Sequence, residues 1–121
     1  MALNYYKNEL KENAQLLASK GKGILAVDES TKTVGKRLAG IGVENTEENR
    51  KAYRGMLFTT EGLGKYISGA ILFEETLFQN HPDGESMVKK LNDLGIIPGI
   101  KVDKGLNPLP GGGDVETFCS G

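Results

Sequence analysis

Ile24-Leu-Ala-Val27 is a run of four apolar residues, preceded by a Gly-Lys-Gly turn and followed at once by Asp28. A continuous apolar run of this length is typical of a strand that is buried on both faces of a parallel sheet. Gly69-Ala-Ile-Leu-Phe73 has the same character, and residues 96–103 give a third candidate strand. In this third run the ladder is expected to begin after Pro98, because proline cannot donate a hydrogen bond to a neighbouring strand.

Stretches with helical spacing lie before and between these runs, and residues 107–113 are predicted to form a loop. Strand and helix alternation predicts an α/β fold in which parallel strands are joined through helices, and residues 1–121 belong to one domain. Four helices are predicted. The first covers residues 3–19, with an apolar stripe of Leu3, Tyr6, Leu10, Ala14 and Leu17, and the second covers residues 34–39. The third begins at Asn45, with Glu48 as capping partner and with Ala52, Tyr53, Met56 and Leu57 on its buried side, and the fourth covers residues 87–94.

The composition restricts the class of protein. The chain has 121 residues, with 15 basic and 16 acidic side chains and a net charge of −1, so we expect no nucleic acid and no anionic membrane surface as partner. A single cysteine and a single histidine give no disulfide and no metal site. The first ten residues lack the apolar core of a signal peptide, and a reducing, cytoplasmic compartment is expected.

Charged residues follow each predicted strand at the edge where parallel α/β sheets bind ligands. Glu74 and Glu75 after the second strand are interpreted as an exit to solvent. Lys101 lies inside the third apolar run, where an unpaired ammonium group would be costly. It therefore needs an anionic partner, and the spacing leaves two alternatives open, an ion pair with Asp28 or Asp103 and the binding of a phosphate.

Asp28 also has two interpretations. It is either the N-cap of the helix that begins near Val34, or a carboxylate beside a substrate. In the second case the hydroxyl groups of Ser30, Thr31 and Thr33 would hold an anion at the start of that helix, and Lys36 and Arg37 would add positive charge one turn later.

Four blocks give the sequence a more specific likeness. They are Gly23-Ile-Leu-Ala-Val-Asp-Glu-Ser-Thr31 with Lys36-Arg-Leu38, Gly42-Val-Glu-Asn-Thr-Glu-Glu-Asn-Arg50 with Tyr53-Arg54, Ala70-Ile-Leu-Phe-Glu-Glu-Thr-Leu77, and Gly99-Ile-Lys-Val-Asp-Lys-Gly105. In this order and spacing they resemble the N-terminal part of class I fructose-bisphosphate aldolases. The resemblance covers essentially all 121 residues.

The resemblance implies a fold and an activity. The fold is a (β/α)₈ barrel, and the reaction is the glycolytic cleavage of fructose 1,6-bisphosphate to dihydroxyacetone phosphate and glyceraldehyde 3-phosphate. A lysine forms a Schiff base with the substrate, so no metal or other cofactor is needed. A sugar phosphate is the implied ligand, and the full-length parent is expected to be a homotetramer.

The resemblance also implies roles for individual residues. Asp28 is the carboxylate near the Schiff base, and Lys101 lies across from it, close to substrate hydroxyl or phosphate oxygens. Ser30 and Thr33 help to hold a phosphate, with threonine standing where the family often has serine. Arg37 is a mobile phosphate contact. Arg50 is carried over as a substrate-binding candidate, with a salt-bridging role in the scaffold as the alternative.

The length of the chain sets a limit on this interpretation. A (β/α)₈ barrel needs about 250 residues, and this sequence supplies three or so of the eight strands. None of its lysines matches the Schiff-base motif. We therefore expect an incomplete barrel, an N-terminal fragment that is inactive alone. Two alternatives are a truncated product that binds a phosphorylated ligand or a partner without catalysis, and a barrel with a different chemistry.

Overall fold

A computed structural model describes residues 2–121 of the chain, and their side chains from residue 4 onward. The elements alternate as the apolar runs predict, although several are shorter than expected. The helices are α1 (Ala2–Tyr5), α2 (Lys7–Leu17), α3 (Thr31–Ala39), α4 (Glu47–Phe58), α5 (Leu63–Tyr66), α6 (Glu74–Leu77) and α7 (Met87–Asp93), and the strands are β1 (Gly23–Val27), β2 (Ile67–Leu72), β3 (Ile97–Ile100), β4 (Leu106–Pro108) and β5 (Thr117–Cys119).

Three parallel strands form the main sheet, in the order β1-β2-β3. The register places Val27 beside Leu72, and Leu72 beside Ile100, so the three strands end at the same edge. This confirms the predicted parallel α/β architecture. The expected start of the third strand is wrong, because Pro98 lies within β3, opposite Ala70. Within residues 2–121 β3 is an outer strand, where proline is tolerated if its nitrogen faces away from the neighbour.

The hydrophobic core lies on one face of this sheet. Its side chains come from the sheet, from α4 and α7 and from the start of β3, namely Val27, Phe58, Ala70, Leu72, Met87, Leu91 and Ile96. On the opposite face of β1, Ile24 is 53% exposed, so the expected burial of this strand on both faces is wrong. Alternate residues of a strand point to opposite faces. On this second face Asn13 and Leu17 of α2 line a cavity together with Ile24, and they cover it only in part.

The N-terminal helix departs from its predicted packing. The backbone breaks at Tyr6, between α1 and α2, and Tyr6 and Leu10 of the predicted stripe are more than half exposed. The side chain of Leu3 lies outside the described residues. Leu17 alone reaches the sheet, where its carbonyl accepts a 2.8 Å hydrogen bond from Ser68 Oγ. A stripe with helical spacing identifies the helix, but it does not show that a partner covers it.

Helix α4 buries the predicted side only in part, since Leu57 packs against the core and Tyr53 is half-buried. Ala52 and Met56 are exposed, whereas Arg50, Arg54 and Phe58 are buried. Thr46 rather than Asn45 caps the helix, because its hydroxyl accepts from the Asn49 amide at 3.1 Å. The apolar pattern does not predict this burial, because Arg50 and Arg54 point inward to the ionic partners described below.

The C-terminal segment contains a hairpin that the sequence pattern does not predict. β4 and β5 pair antiparallel, so residues 107–113 are only partly loop. Glu116 closes the turn, because its carboxylate accepts from the Gly113 amide at 2.6 Å and its carbonyl from Leu109. In the part of the chain that the structure describes, no helix is long and apolar enough to cross a membrane.

Candidate active site

Lys101 is the centre of a charged group at the carboxyl edge of the parallel sheet. Its backbone amide donates a 2.9 Å hydrogen bond to the Leu72 carbonyl, which fixes the position of Lys101 at the end of β2. Its ammonium Nζ lies 2.6 Å from Asp103 Oδ1 and 3.5 Å from Asp28 Oδ2. Both carboxylates of the ion-pair alternative are therefore present, and the three side chains remain between a quarter and two fifths exposed.

The short contact with Asp103 dominates the electrostatics of this group. Its hydrogen bond raises the pKa of the Lys101 ammonium above the usual lysine range, and the same bond lowers the pKa of the Asp103 carboxyl. The pair therefore stays charged across the physiological pH range. Lys101 thus stays a cation that can donate hydrogen bonds to a ligand oxygen.

The start of α3 tests one of the two interpretations of Asp28. Ser30 is the N-cap of this helix, and its hydroxyl accepts from the Thr33 amide at 3.4 Å. The N-cap interpretation of Asp28 is therefore wrong, and its carboxylate faces Lys101 instead. Ser30 Oγ and Thr33 Oγ1 lie 3.1 Å apart, so the structure brings both predicted hydroxyl groups together beside the strand end.

A cleft of about 390 Å³ opens over Lys101. Charged groups lie on several sides of it, because two ammonium groups, two carboxylates and a hydroxyl group are among the lining. The lining residues are Ser30, Phe73, Glu74, Lys101, Val102, Asp103, Lys104 and Gly105. Glu74 is exposed here, as predicted for a residue that leaves the sheet.

Glu75 has a different environment from its neighbour, and its predicted exposure to solvent is wrong. Its carboxylate accepts from Arg50 Nε at 2.9 Å and Nη2 at 2.5 Å, and from Arg54 Nη1 at 3.4 Å. Arg50 therefore occupies the scaffold position, and no described contact joins it to Lys101. The hydrogen bond from Arg50 lowers the pKa of the Glu75 carboxyl.

Arg37 lies on the outer side of α3 rather than beside Lys101. Its Nη1 is 2.7 Å from Glu29 Oε1 and donates to the Tyr53 hydroxyl at 3.1 Å. Its side chain is 56% exposed. The described contacts do not bring Arg37 to the cleft.

Arg54 and Glu29 are the residues near the site that the sequence reasoning missed. Arg54 Nη2 donates to the Glu29 carbonyl at 2.6 Å, directly after Asp28 in the chain. One signal could have found this arrangement, because Arg50 and Arg54 are four residues apart and share one face of α4. A helix face with two arginines needs an anionic partner, and the strand-end glutamates are the nearest candidates in the pattern.

The fold and this edge together define a class of protein. Parallel α/β proteins place their ligands beyond the carboxyl ends of the strands. Here that edge carries a lysine between two carboxylates, with paired hydroxyl groups at a helix start. This arrangement is typical of the α/β class of proteins, in which the carboxyl edge of a parallel sheet carries the charged groups of a site.

Comparison with known proteins identifies the family. The sequence model of the family described as glycolytic, class I fructose-bisphosphate aldolase matches residues 9–121. The chain belongs to this family, as its sequence blocks predict. It is 60% identical over 116 residues to the chloroplastic fructose-bisphosphate aldolase 3 of Arabidopsis thaliana, and 67% identical over 102 residues to fructose-bisphosphate aldolase 1 of Toxoplasma gondii.

A solved structure supports the same assignment. Fructose-bisphosphate aldolase from Plasmodium falciparum, determined in complex with TRAP and a small-molecule inhibitor, superimposes with a TM-score of 0.87 at 58% identity. The match covers 94% of this chain and 33% of that chain. The curated relatives are also longer, since the chain spans 29% of the Arabidopsis protein and 28% of the Toxoplasma protein. The predicted incomplete barrel is confirmed.

The expected cytoplasmic location is contradicted by these relatives. Aldolases named chloroplastic from Arabidopsis thaliana, Spinacia oleracea and Oryza sativa subsp. japonica are each 60% identical to the chain over 116 residues. The expectation rested on composition and on a missing apolar leader, but plastid transit segments are Ser- and Arg-rich rather than apolar and are separate from the folded domain.

Proposed function

We propose that this chain supplies one side of the catalytic site of a Schiff-base aldolase. The proposed reaction is the reversible cleavage of fructose 1,6-bisphosphate to dihydroxyacetone phosphate and glyceraldehyde 3-phosphate. The observation that carries the proposal is the contact of Lys101 with Asp28 and Asp103 at the carboxyl edge of the sheet, in a chain of this family. The Schiff-base lysine lies outside residues 1–121, and the active protein is a homotetramer.

Six residues in and around the cleft have roles in this reaction. The C3–C4 bond of the substrate breaks, its electron pair moves into the protonated Schiff base, and the C4 hydroxyl becomes the aldehyde as it gives its proton to an acid–base carboxylate outside residues 1–121. Asp28 assists formation of the Schiff base and orients the substrate. Lys101 donates hydrogen bonds to hydroxyl or phosphate oxygens, while Asp103 holds the Lys101 ammonium in place. Ser30 and Thr33 donate to a phosphate, and Arg37 swings from Glu29 to reach it.

A hybrid enzyme tests the proposal. In this protein, called the hybrid aldolase below, residues 9–121 replace the matching segment of the Arabidopsis aldolase that is 60% identical. The hybrid is expected to cleave fructose 1,6-bisphosphate with a kcat within about tenfold of the parent, because the segment provides the same side chains at the same strand ends. A hybrid that folds and assembles like the parent but does not cleave the substrate contradicts the proposal.

The isolated chain gives a second prediction. It is expected to show no cleavage of fructose 1,6-bisphosphate, and borohydride with dihydroxyacetone phosphate is expected to leave no adduct detectable by mass spectrometry, since the Schiff-base lysine is missing. The parent Arabidopsis aldolase under the same conditions is the positive control. Turnover, or a reduced adduct on one of these lysines, would contradict the assignment. Binding of the sugar phosphate without turnover would favour the noncatalytic alternative for the chain alone.

Replacement of Ser30 by alanine tests the hydroxyl pair. The hybrid should lose about 1 kcal/mol of stability, because the Thr33 amide loses its cap. It should also bind substrate less well, with KM raised by about three- to tenfold, because one donor to the phosphate is gone. Ser86 caps α7 in the same way through the Lys89 amide, so Ser86→Ala is the matched control. Equal KM values for the two variants would show that Ser30 does not bind the substrate.

A further inference from the structure

Arg54 is buried completely although it carries a guanidinium group. Its exposed fraction is 0%, and its position is in the middle of α4, a helix that contributes no residue to the lining of the cleft. A buried cation of this kind is costly unless its donors are satisfied. The contacts of Arg54 offset part of that cost, because Nη1 and Nη2 have acceptors, whereas Nε is buried without a hydrogen-bond partner among the described residues.

These contacts join two strand ends. Nη2 donates to the Glu29 carbonyl at 2.6 Å, and Nη1 donates to Glu75 Oε2 at 3.4 Å. Glu29 lies between Asp28 and Ser30 after β1, and Glu75 follows β2. The guanidinium carbon also lies 5.4 Å from the centre of the Phe73 ring, which lines the cleft. One side chain therefore holds the loop after β1 against the loop after β2.

We propose that Arg54 is a positioning residue for the aldol reaction, which sets the place of the Asp28–Ser30 loop relative to Lys101. This inference rests on the proposed function. The Asp28 carboxylate meets Lys101 across β2, so the distance between them depends on how the ends of β1 and β2 are fixed. Arg54 fixes both ends at once. It touches neither the cleft nor a substrate, and acts through the backbone of Glu29.

The geometry requires a guanidinium rather than only a positive charge. Two nitrogens of one planar group serve a carbonyl and a carboxylate in different directions. A lysine ammonium is a point charge on a flexible stem, so it can satisfy one of these acceptors but cannot hold both in a fixed arrangement. Arg54→Lys therefore keeps the charge and the volume approximately, while it releases the loop that carries Asp28.

The test compares Arg54→Lys with Phe58→Leu in the hybrid aldolase. Phe58 is equally buried, one turn further along the same helix, and belongs to the core rather than to the cleft. Both variants should lower the thermal midpoint. Arg54→Lys should also lower kcat by about tenfold or more at a temperature where it is fully folded, because a small misplacement of a reacting group is costly. Phe58→Leu should keep kcat within about twofold, since it leaves the loop in place.

Comparing the change in kcat with the change in KM distinguishes a positioning role of Arg54 from a general loss of stability. The Arg54→Lys variant should change KM less than kcat, because Lys101 and the helix cap remain able to bind the substrate. If Arg54→Lys loses stability like Phe58→Leu and keeps its kcat, the proposal is wrong. An inactive unmodified hybrid would instead contradict the proposed function, so the two failures are distinguishable.

A second variant covers the case in which Arg54→Lys does not fold. Glu75→Gln keeps the shape of the side chain and one acceptor oxygen, but removes the charge that holds Arg54. It should lower kcat by about three- to tenfold with a smaller change in KM. A folded Glu75→Gln hybrid with the kcat of the unmodified hybrid overturns the proposal.

Discussion

The hybrid aldolase with Asp28 replaced by asparagine is expected to lose kcat by a factor of about 100 to 10,000, the usual contribution of a positioned acid or base. The amide would keep the shape of the side chain and a hydrogen-bond acceptor, but it could neither accept a proton nor form an ion pair with the Lys101 ammonium. Lys101 would retain Asp103 at 2.6 Å, so the cleft should keep its shape. Steady-state cleavage of fructose 1,6-bisphosphate, measured by coupled detection of the products, gives the result directly.

Asp93→Asn is the matched control for this change. Asp93 also pairs with a lysine, Lys89, but on the outer surface of α7 and away from the cleft. The same chemical replacement there should leave kcat within about twofold, because surface ion pairs contribute little. If both variants keep full activity, Asp28 has no catalytic role and the proposed site is wrong.

Replacement of Glu75 by alanine has the largest expected effect on stability. Glu75 is the shared partner of Arg50 and Arg54, which are 8% and 0% exposed. Its loss leaves two buried cations without their carboxylate, and the expected cost is about 3–5 kcal/mol. Urea unfolding of the hybrid should show this as a lower midpoint. Glu48→Ala, which removes an exposed partner of Lys51, should change stability by less than about 1 kcal/mol.

The same ion pair predicts a dependence on pH. The hydrogen bond from Arg50 holds the pKa of the Glu75 carboxyl below its ordinary value of 4.5. A lowered pKa in the folded state means that the stabilisation is present above pH 4.5 and is lost as the pH falls through the folded pKa. The unmodified hybrid should therefore lose stability on acidification, and Glu75→Ala should lose less over the same range. Parallel curves for the two proteins would contradict this role for Glu75.

Sequence reasoning could predict the parallel sheet and the position of the site. The apolar runs at 24–27 and 69–73 locate two of the strands to within two residues, because continuous apolar runs carry a strong local signal. Asp28 and Lys101 follow from the same pattern, since both are charged residues at the ends of such runs. Their meeting is a consequence of parallel pairing, which brings the carboxyl ends of strands to one edge.

The remaining features depend on contacts between distant parts of the chain. Helix α4 turns Arg50 and Arg54 inward because Glu75, more than twenty residues later, provides their charge partner. A period of 3.6 residues can locate an apolar face, but it cannot show that a helix buries a polar one. The hairpin of β4 and β5 is also missed, since two strands of three residues in a Pro- and Gly-rich segment give almost no alternating pattern.

A double-mutant cycle on Asp28 and Lys101 tests the central claim most directly. Asp28→Asn, Lys101→Met and the double variant are compared in the hybrid aldolase by kcat/KM. If the two side chains act as one unit across the end of the sheet, the double variant should be about as slow as the slower single variant, with a coupling of at least about 1.4 kcal/mol, or tenfold. Effects that simply multiply would show two independent residues and would contradict the account.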